Sequence, residues 1–305
     1  MKSDSQKMNE LAHSSSFLRE LTCEESSEMR RIMIAILQTV IGICDSEGLT
    51  YMMSGGSCLG TIRHQGFIPW DDDLDIMMPR KDYERFICLC SEGRLGENYE
   101  FTCPDKRKDS NTIFLKVFRK GTRNVELANI STPFPKGVFI DVFPIDTVPN
   151  GRFAQLIKGF FSNAIQFLGI CSLYAQYPSH QLKEFMQMDS GLAKRYKMKL
   201  FVGHIISFVP HRIWMYWFDR FVASSKDGPL WGIPTGRKYY NGEIFKREVF
   251  VPVKKAIFEG IMVNIPNNTD GYLKNLYNDY MQLPPLNKRE RHFIFEYVGL
   301  NDKKL

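Results

Sequence analysis

The stretch Trp70-Asp71-Asp72-Asp73-Leu74-Asp75-Ile76 holds four carboxylates in five residues. Apolar residues flank it on both sides, Phe67-Ile68-Pro69-Trp70 before it and Leu74, Ile76, Met77 and Met78 after, whereas a solvated acidic loop lacks such flanks. In an extended chain successive side chains alternate between faces, so Asp71, Asp73 and Asp75 share one side and Leu74 and Ile76 the other. At about 3.3 Å rise per residue the Cα atoms of Asp73 and Asp75 lie about 6.6 Å apart, within joint reach of one cation. Two such anions repel, and a hard divalent cation relieves the repulsion. An all-oxygen set favours Mg2+ or Mn2+ over zinc. A helix–loop–helix calcium site fails, because Ile76 stands where the loop needs glycine and Asp82 where it needs glutamate.

Two further features could join this chemistry. Gly55-Gly56-Ser57 precedes a short apolar helix pattern through Leu59 and Ile62, and backbone N–H groups with a hydroxyl at a helix start form an anion site. No lysine follows Gly60, which excludes a Walker-type phosphate loop, and Leu59 takes the place of the second glycine in a nucleophile elbow. Asp141 sits inside Val138-Phe139-Ile140-Asp141-Val142-Phe143. A charge within a hydrophobic strand calls for a metal or a basic partner, a structural salt bridge being the plain alternative.

These residues need elements to position them. Thr22 and Glu25 have capping-box spacing, an apolar stripe runs from Met29 to Cys44 at helical period, and Gly48 is placed to end that helix. Strands are expected at Leu49–Met53, Asp73–Met78, Glu100–Cys103, Ile113–Arg119 and Val138–Phe143, with a helix opening after Pro79. Pro149-Asn150-Gly151 marks a boundary, after which 152–225 reads as helical and rich in aromatics. A last helix runs from Tyr272 to Met281 and stops at Pro284-Pro285. The expected organisation is a loose N-terminus over 1–20, a catalytic core over 21–151, a helical segment over 152–235, and a C-terminal segment over 236–305 that packs back on the core.

The 305 residues are 44% hydrophobic and 24% charged, the composition of a globular protein. The apolar runs Ile32–Cys44 and Leu200–Pro210 fall short of the roughly 20 residues of a membrane span, no secretory leader is evident, and seven scattered cysteines fit a reducing, cytoplasmic setting. Residues 1–151 carry 18 basic and 22 acidic side chains, a net of −4, whereas 152–247 carry 14 and 5, a net of +9. With its clustered aromatics that middle segment suits peripheral contact with anionic lipid at the inner face of a membrane. The overall surplus of +6 is modest for a nucleic-acid polymerase, and no nucleic-acid partner is expected.

The block from Tyr51 through Ser54-Gly55-Gly56-Ser57 and Arg63 to Trp70-Asp71-Asp72-Asp73-Leu74-Asp75 resembles the LicD family, bacterial phosphocholine transferases of the nucleotidyltransferase superfamily related to the fukutin proteins. The likeness extends from about Leu18 to Arg291, through Pro79-Arg80-Lys81-Asp82-Tyr83, Ile140–Asp146, Phe258-Glu259-Gly260 and Tyr280–Pro285; Asn278 stands where a glycine is common. It implies an α+β fold, a nucleotidyltransferase-like mixed sheet flanked by helices with a helical insertion. It implies transfer of phosphocholine from CDP-choline, or of another phospho-alcohol from its CDP donor, to a hydroxyl of a glycan or lipid-linked glycan. Asp73, Asp75 and Asp141 would hold Mg2+, and Asp141 would also help deprotonate the acceptor. Gly55, Gly56 and Ser57 would contact phosphate, with Arg63, Trp70, Lys116 and Arg119 as further substrate-binding residues. Transfer of a nucleoside monophosphate to an alcohol, or a non-catalytic glycan-binding module, are the competing expectations.

Overall fold

The computed structural model describes residues 8, 10–106, 112–285, 289 and 293–300. Helix α1 (Cys23–Glu47) starts as its sequence dictates: the Glu25 N–H donates to Thr22 Oγ1, and the Thr22 N–H donates back to the Glu25 carboxylate at 2.8 Å. Gly48 ends it in the left-handed region at φ 66°. Its buried face, Met29 to Cys44, packs under a central sheet.

That sheet is built from β1 (Met52–Met53), β2 (Asp75–Pro79), β3 (Tyr99–Thr102), β4 (Leu115–Arg119) and β6 (Phe139–Thr147), in the order β1-β2-β6-β4-β3. The pair β2–β6 is parallel and the other pairs are antiparallel. Helix α2 (Gly55–His64) follows β1, and α3 (Arg80–Ser91) follows β2. A separate strand, β5 (Arg123–Glu126), precedes β6. The helical segment consists of α4 (Arg152–Gln176), α5 (His180–Gln187), α6 (Ser190–Ile205) and α7 (His211–Val222). Strand β7 (Leu230–Gly232), helix α8 (Tyr239–Gly242) and strand β8 (Ile244–Lys246) lead into the β9–β10 hairpin (Lys254–Phe258, Ile261–Ile265), helix α9 (Thr269–Tyr277) and β11 (Ile294–Val298). The architecture is the expected α+β one, a mixed sheet flanked by helices with a helical insertion.

Several expected boundaries move. The acidic strand begins at Asp75 rather than Asp73: its pairing starts at Asp75–Asp141 although β6 itself begins at Phe139, and Asp71 and Asp73 stay in the preceding loop. Strand β6 continues through Pro144 to Thr147, since β7 pairs with Asp146 and Thr147 beyond the reach of the other strands. Helix α9 stops at Tyr277, short of Met281, because Asn278 turns left-handed at φ 58°. Glycine adopts that conformation without strain, which is why it suits the position. The N-terminal stretch expected to be loose is anchored where it is described: Ala12 and Leu18 are buried with Leu127 and Phe185, and Arg19 bridges to Ile294. Residues 1–7 and 9 lie outside the described residues, as does Arg291 at the end of the family likeness. Helix α4 is long and apolar enough, by length and composition, to cross a membrane, contrary to the expectation from unbroken apolar runs.

Candidate active site

The sheet register sets the acids in a row. Asp75 of β2 lies opposite Asp141 of the parallel strand β6, and Asp141 lies opposite Lys116 of the antiparallel strand β4. Neighbouring strands are about 4.8 Å apart, so the three side chains stand side by side on one face. Lys116 Nζ donates to Asp141 Oδ1 at 2.6 Å and lies 3.7 Å from the centroid of the Phe139 ring. Asp71 and Asp73 belong to the loop that enters β2.

That loop is held from two sides. The Arg30 guanidinium of α1 donates to the carbonyls of Ile68, Pro69 and Asp71 at 3.2, 3.0 and 2.8 Å. The Asp75 N–H donates to Ser57 Oγ at 2.8 Å, and the Ser54 N–H donates to the Asp75 carbonyl at 3.0 Å. Ser57 is therefore buried and engaged with the main chain, and its place is structural rather than at the phosphate. Gly55 and Gly56 open α2 directly beneath the acids. A Cβ on Gly55 would come within 3.3 Å of Asp75 Oδ2, and one on Gly56 within 2.8 Å of Asp71 Oδ2. The positive end of α2 thus faces carboxylates, a favourable arrangement that any larger residue would push apart.

Burial raises the Asp75 carboxyl well above the ordinary carboxylate range, and Asp73, Asp141 and Asp71 push it further while Lys116 opposes them. Burial raises Asp141 too, Lys116 pulls it back, and Asp73 raises it, leaving it pushed up to about 6. Each acid resists ionising beside the others, which is the electrostatic condition that a divalent cation reverses. Among the described residues the acids do not form a closed ligand cluster. Their hard oxygen donors and shared negative charge nonetheless fit Mg2+ or Mn2+, with Asp141 already shared with Lys116.

A cleft of about 440 Å3 opens over this row. Gly55, Gly56, Arg63, Trp70, Asp73 and Asp75 line it. Asp141 and Lys116 stand one and two strands further into the sheet and are not part of its wall. Arg119 lies at the far end of β4, where its guanidinium donates to the Asn98 carbonyl and covers the Tyr99 ring, away from the cleft. Trp70 stands between Arg289 at 4.1 Å and Arg63 at 6.0 Å from its ring centroid. Arg63 also donates to the Tyr280 carbonyl at 2.7 Å.

The opposite wall comes from the C-terminal segment. Tyr272 OH accepts the Gly55 N–H at 3.1 Å, tying α9 to the start of α2. Tyr277, Asp279 and Tyr280 line the cleft beside Thr235, Gly236, Arg237 and Glu243. The Thr235 hydroxyl is buried with no hydrogen-bond partner among the described residues. Buried Glu243 accepts the Lys238 N–H at 2.8 Å, and its carboxylate fills the space where a Cβ on Gly236 would stand. Glu243 thereby shapes the turn that presents Arg237. Sequence reasoning missed this wall: Pro234-Thr235-Gly236-Arg237 carries a turn signal with a cation, but nothing local ties it to carboxylates about 160 residues earlier. The tyrosine stripe of α9 was visible and belongs partly to the core, partly to the cleft.

Residues 48–153 match the family profile described as LicD/FKTN/FKRP, nucleotidyltransferase domain. Over 294 residues the chain is 26% identical to the lipopolysaccharide cholinephosphotransferase LicD of Haemophilus influenzae, covering 88% of this chain and 96% of that one. A segment of 37 residues is 46% identical to the ribitol 5-phosphate transferase FKRP of human and mouse, 12% of this chain and 8% of theirs.

Proposed function

We propose that this chain, whose residues 48–153 match the LicD/FKTN/FKRP nucleotidyltransferase domain, is a phosphotransferase that moves phosphocholine from CDP-choline to a hydroxyl of a cell-surface glycan precursor. The observation that carries this reading is the row Asp75–Asp141–Lys116 against the α2 N-terminus, with Asp75 and Asp73 lining a cleft whose walls supply three arginines. The acceptor oxygen forms a bond to the choline-bearing phosphorus, the bond from that phosphorus to CMP breaks, and the hydroxyl proton passes to a carboxylate. Such transfers depend on positioning and on neutralising phosphate charge. Mg2+ or Mn2+, when bound by Asp73 and Asp75 with Asp141 behind them, supplies part of that neutralisation. Arg63, Arg237 and Arg289 line the cleft where the donor's phosphates would lie, and the Thr235 hydroxyl offers an open hydrogen bond. Asp141 sets the charge of the floor from behind Asp75, a place that fits it less well as the group meeting the acceptor. Tyr277, Asp279 and Tyr280 offer aromatic surface and an anion to a quaternary ammonium, which cannot donate a hydrogen bond.

The test is product release from CDP-choline, CDP-ribitol and CDP-glycerol with a lipid-linked glycan pool, with and without EDTA. CMP release dependent on the acceptor and abolished by EDTA supports the reading. Pyrophosphate release from a nucleoside triphosphate would move it to nucleotidyl transfer, and binding of glycan without turnover of any donor would make the domain a binding module.

A further inference from the structure

Helix α4 is built inside out. Its buried residues are small or polar, among them Lys158, Gly159, Ser162, Gly169 and Ser172. Phe153, Leu156, Ile157, Phe160 and Phe161 face outward instead, with Phe153 77% and Phe160 68% exposed. That spacing is helical, so these side chains form one continuous stripe. Helix α6 extends this face, though it buries Leu192 and Tyr196 as well as Gly203. Its Tyr196 meets Tyr174 of α4 at 5.4 Å between ring centroids, and Gly203 lets its backbone approach the Cys171 carbonyl where a Cβ would collide. Met198, Phe201 and Ile205 are exposed, and Phe208, just beyond, is 81% exposed. The two helices thus leave these large apolar side chains, with Phe208 beside them, turned to the outside, against the sense of burial that stabilises a fold in water.

Charge identifies what covers this face. Neither α4 nor α6 contains an Asp or Glu, while together they hold Arg152, Lys158, Lys194, Arg195, Lys197 and Lys199. Lys194 and Lys197 are exposed on α6 beside the apolar stripe. Outward aromatics with interspersed cations and no anion are the complement of an anionic lipid surface, into which the apolar side chains insert while the cations meet headgroups. Although α4 is long and apolar enough to span, its inner face carries Lys158, whose ammonium donates to the Val222 carbonyl at 3.0 Å and to Ser225 Oγ at 2.6 Å. A helix clamped in this way to α7 lies along a bilayer rather than through it.

We propose that the outer face of α4 and α6 docks in-plane on a bilayer containing anionic lipid. The face is close to the cleft: Gly159 of α4 packs against Asn241 of α8, and α8 directly follows the Thr235–Lys238 wall. This inference rests on exposure and charge alone, independent of the donor the cleft takes. The experiment is co-sedimentation of the full chain with phosphatidylcholine vesicles, with and without phosphatidylglycerol, at low and high salt. Binding is expected only with phosphatidylglycerol and is expected to weaken with salt. Phe160→Glu and Phe201→Glu should each lower partitioning by about tenfold with the circular dichroism melt unchanged, and Lys194→Glu with Lys197→Glu should weaken binding mainly at low salt. No binding at low salt overturns the proposal, and so does binding that the Phe160→Glu and Phe201→Glu variants retain. A concentration-dependent dimer in analytical ultracentrifugation that either variant dissolves, without vesicle binding, would assign the face to a second copy instead. Donor turnover measured on a soluble acceptor is a separate readout, so failure of one reading leaves the other intact.

Discussion

Asp141 and Asp146 lie on the same strand, β6, five residues apart and hence on opposite faces of the sheet, and both are desolvated. Their surroundings differ. Asp146 Oδ1 and Oδ2 accept from Arg80 Nε and Nη2 at 2.7 and 2.9 Å. Arg80 Nη1 reaches Asp219 at 2.7 Å, and Asp219 Oδ2 accepts from Arg220 at 2.7 Å. Asp146 and Asp219 thus have all their carboxylate oxygens filled by Arg80 and Arg220, and Arg220 also reaches Glu84 at 3.2 Å. On the other face Lys116 pairs with Asp141, and Asp73, Asp141 and Asp71 push the Asp75 carboxyl upward against it. A saturated ion network fixes a structure, whereas acids that raise one another are suited to bind something that carries the opposite sign.

The largest effect should come from breaking the saturated side. Arg80→Met leaves Asp146 and Asp219 buried without their shared partner, and loss of one member of such a network costs about 3–5 kcal/mol. Urea unfolding would show it, with turnover per folded molecule little changed. If Arg80→Met proved neutral in stability, the network would not be the fold's anchor.

The side of mutually raised acids should respond in the opposite way. Asp75→Asn relieves repulsion, so the metal-free variant is expected to be as stable as the wild type or more so. Its rate of CMP release should fall by at least about 10²–10³, the cost of one preorganised electrostatic partner, and Asp73→Asn should match it. Mg2+ should raise the melting temperature of the wild type and leave Asp75→Asn unmoved. Wild-type turnover in Asp75→Asn, or turnover indifferent to EDTA, would remove the metal reading. Asp141→Asn separates the two acids: it strips the half-buried Lys116 of its partner and should destabilise by about 1–3 kcal/mol besides lowering the rate.

Glu243 is a third case, a buried acid whose carboxylate takes the Lys238 backbone N–H and feels the Lys238 and Arg237 charges. Burial raises it from 4.5 to about 7, and the backbone hydrogen bond and Lys238 only partly oppose this. A carboxyl raised on folding favours the protonated folded chain, so the contribution of Glu243 to stability is greatest below 4.5 and falls as pH rises from there to about 7. At about pH 8 the deficit is roughly 3 kcal/mol. Glu243→Gln should therefore be more stable than the wild type at that pH and equal to it below 4.5. Equal stability at both ends would mean that Glu243 is not desolvated.

How much of this could be read from the chain depended on sequence distance. The capping box of α1, the alternation around Asp75 and the buried charge of Asp141 are local signals, and the structure keeps them. The start of β2 was misjudged because the preceding loop is held by Arg30 of α1, a contact about 40 residues away in the chain. The pairing of Asp141 with Lys116 required a register that no single strand encodes. The saturated network joins Arg80, Asp146 and Asp219 from three distant segments, and the cleft wall of Thr235, Arg237 and Glu243 is equally remote. The aromatics of α4 were visible, but periodicity shows only that they share a face and leaves open whether that face turns inward.

The smallest expected effect tests whether the acidic cleft distinguishes its donor. Trp70, Tyr239, Tyr240, Tyr277 and Tyr280 lie in segments that return to the acids, and the structure sorts them as faces for a choline group. Tyr240 is buried, Tyr239 is exposed off the cleft, and Trp70 already carries the Arg289 guanidinium at 4.1 Å from its ring centroid. Tyr277 and Tyr280 remain, next to Asp279 and across from the carboxylate row. Arg237 covers Tyr277 at 5.3 Å from its centroid, so a bound ammonium would share that ring or displace the guanidinium toward phosphate. Tyr280 OH donates to Asp270 at 3.1 Å, which holds its ring in place. Tyr280→Ala should then cost about 1–2 kcal/mol in binding CDP-choline and much less for CDP-glycerol, which carries no cation. Calorimetry with both donors measures the difference. An equal loss for both would make Tyr280 part of the general cleft wall, and a wild-type preference for CDP-ribitol or CDP-glycerol would assign the site to polyol-phosphate transfer while leaving the contrast between Asp141 and Asp146 intact.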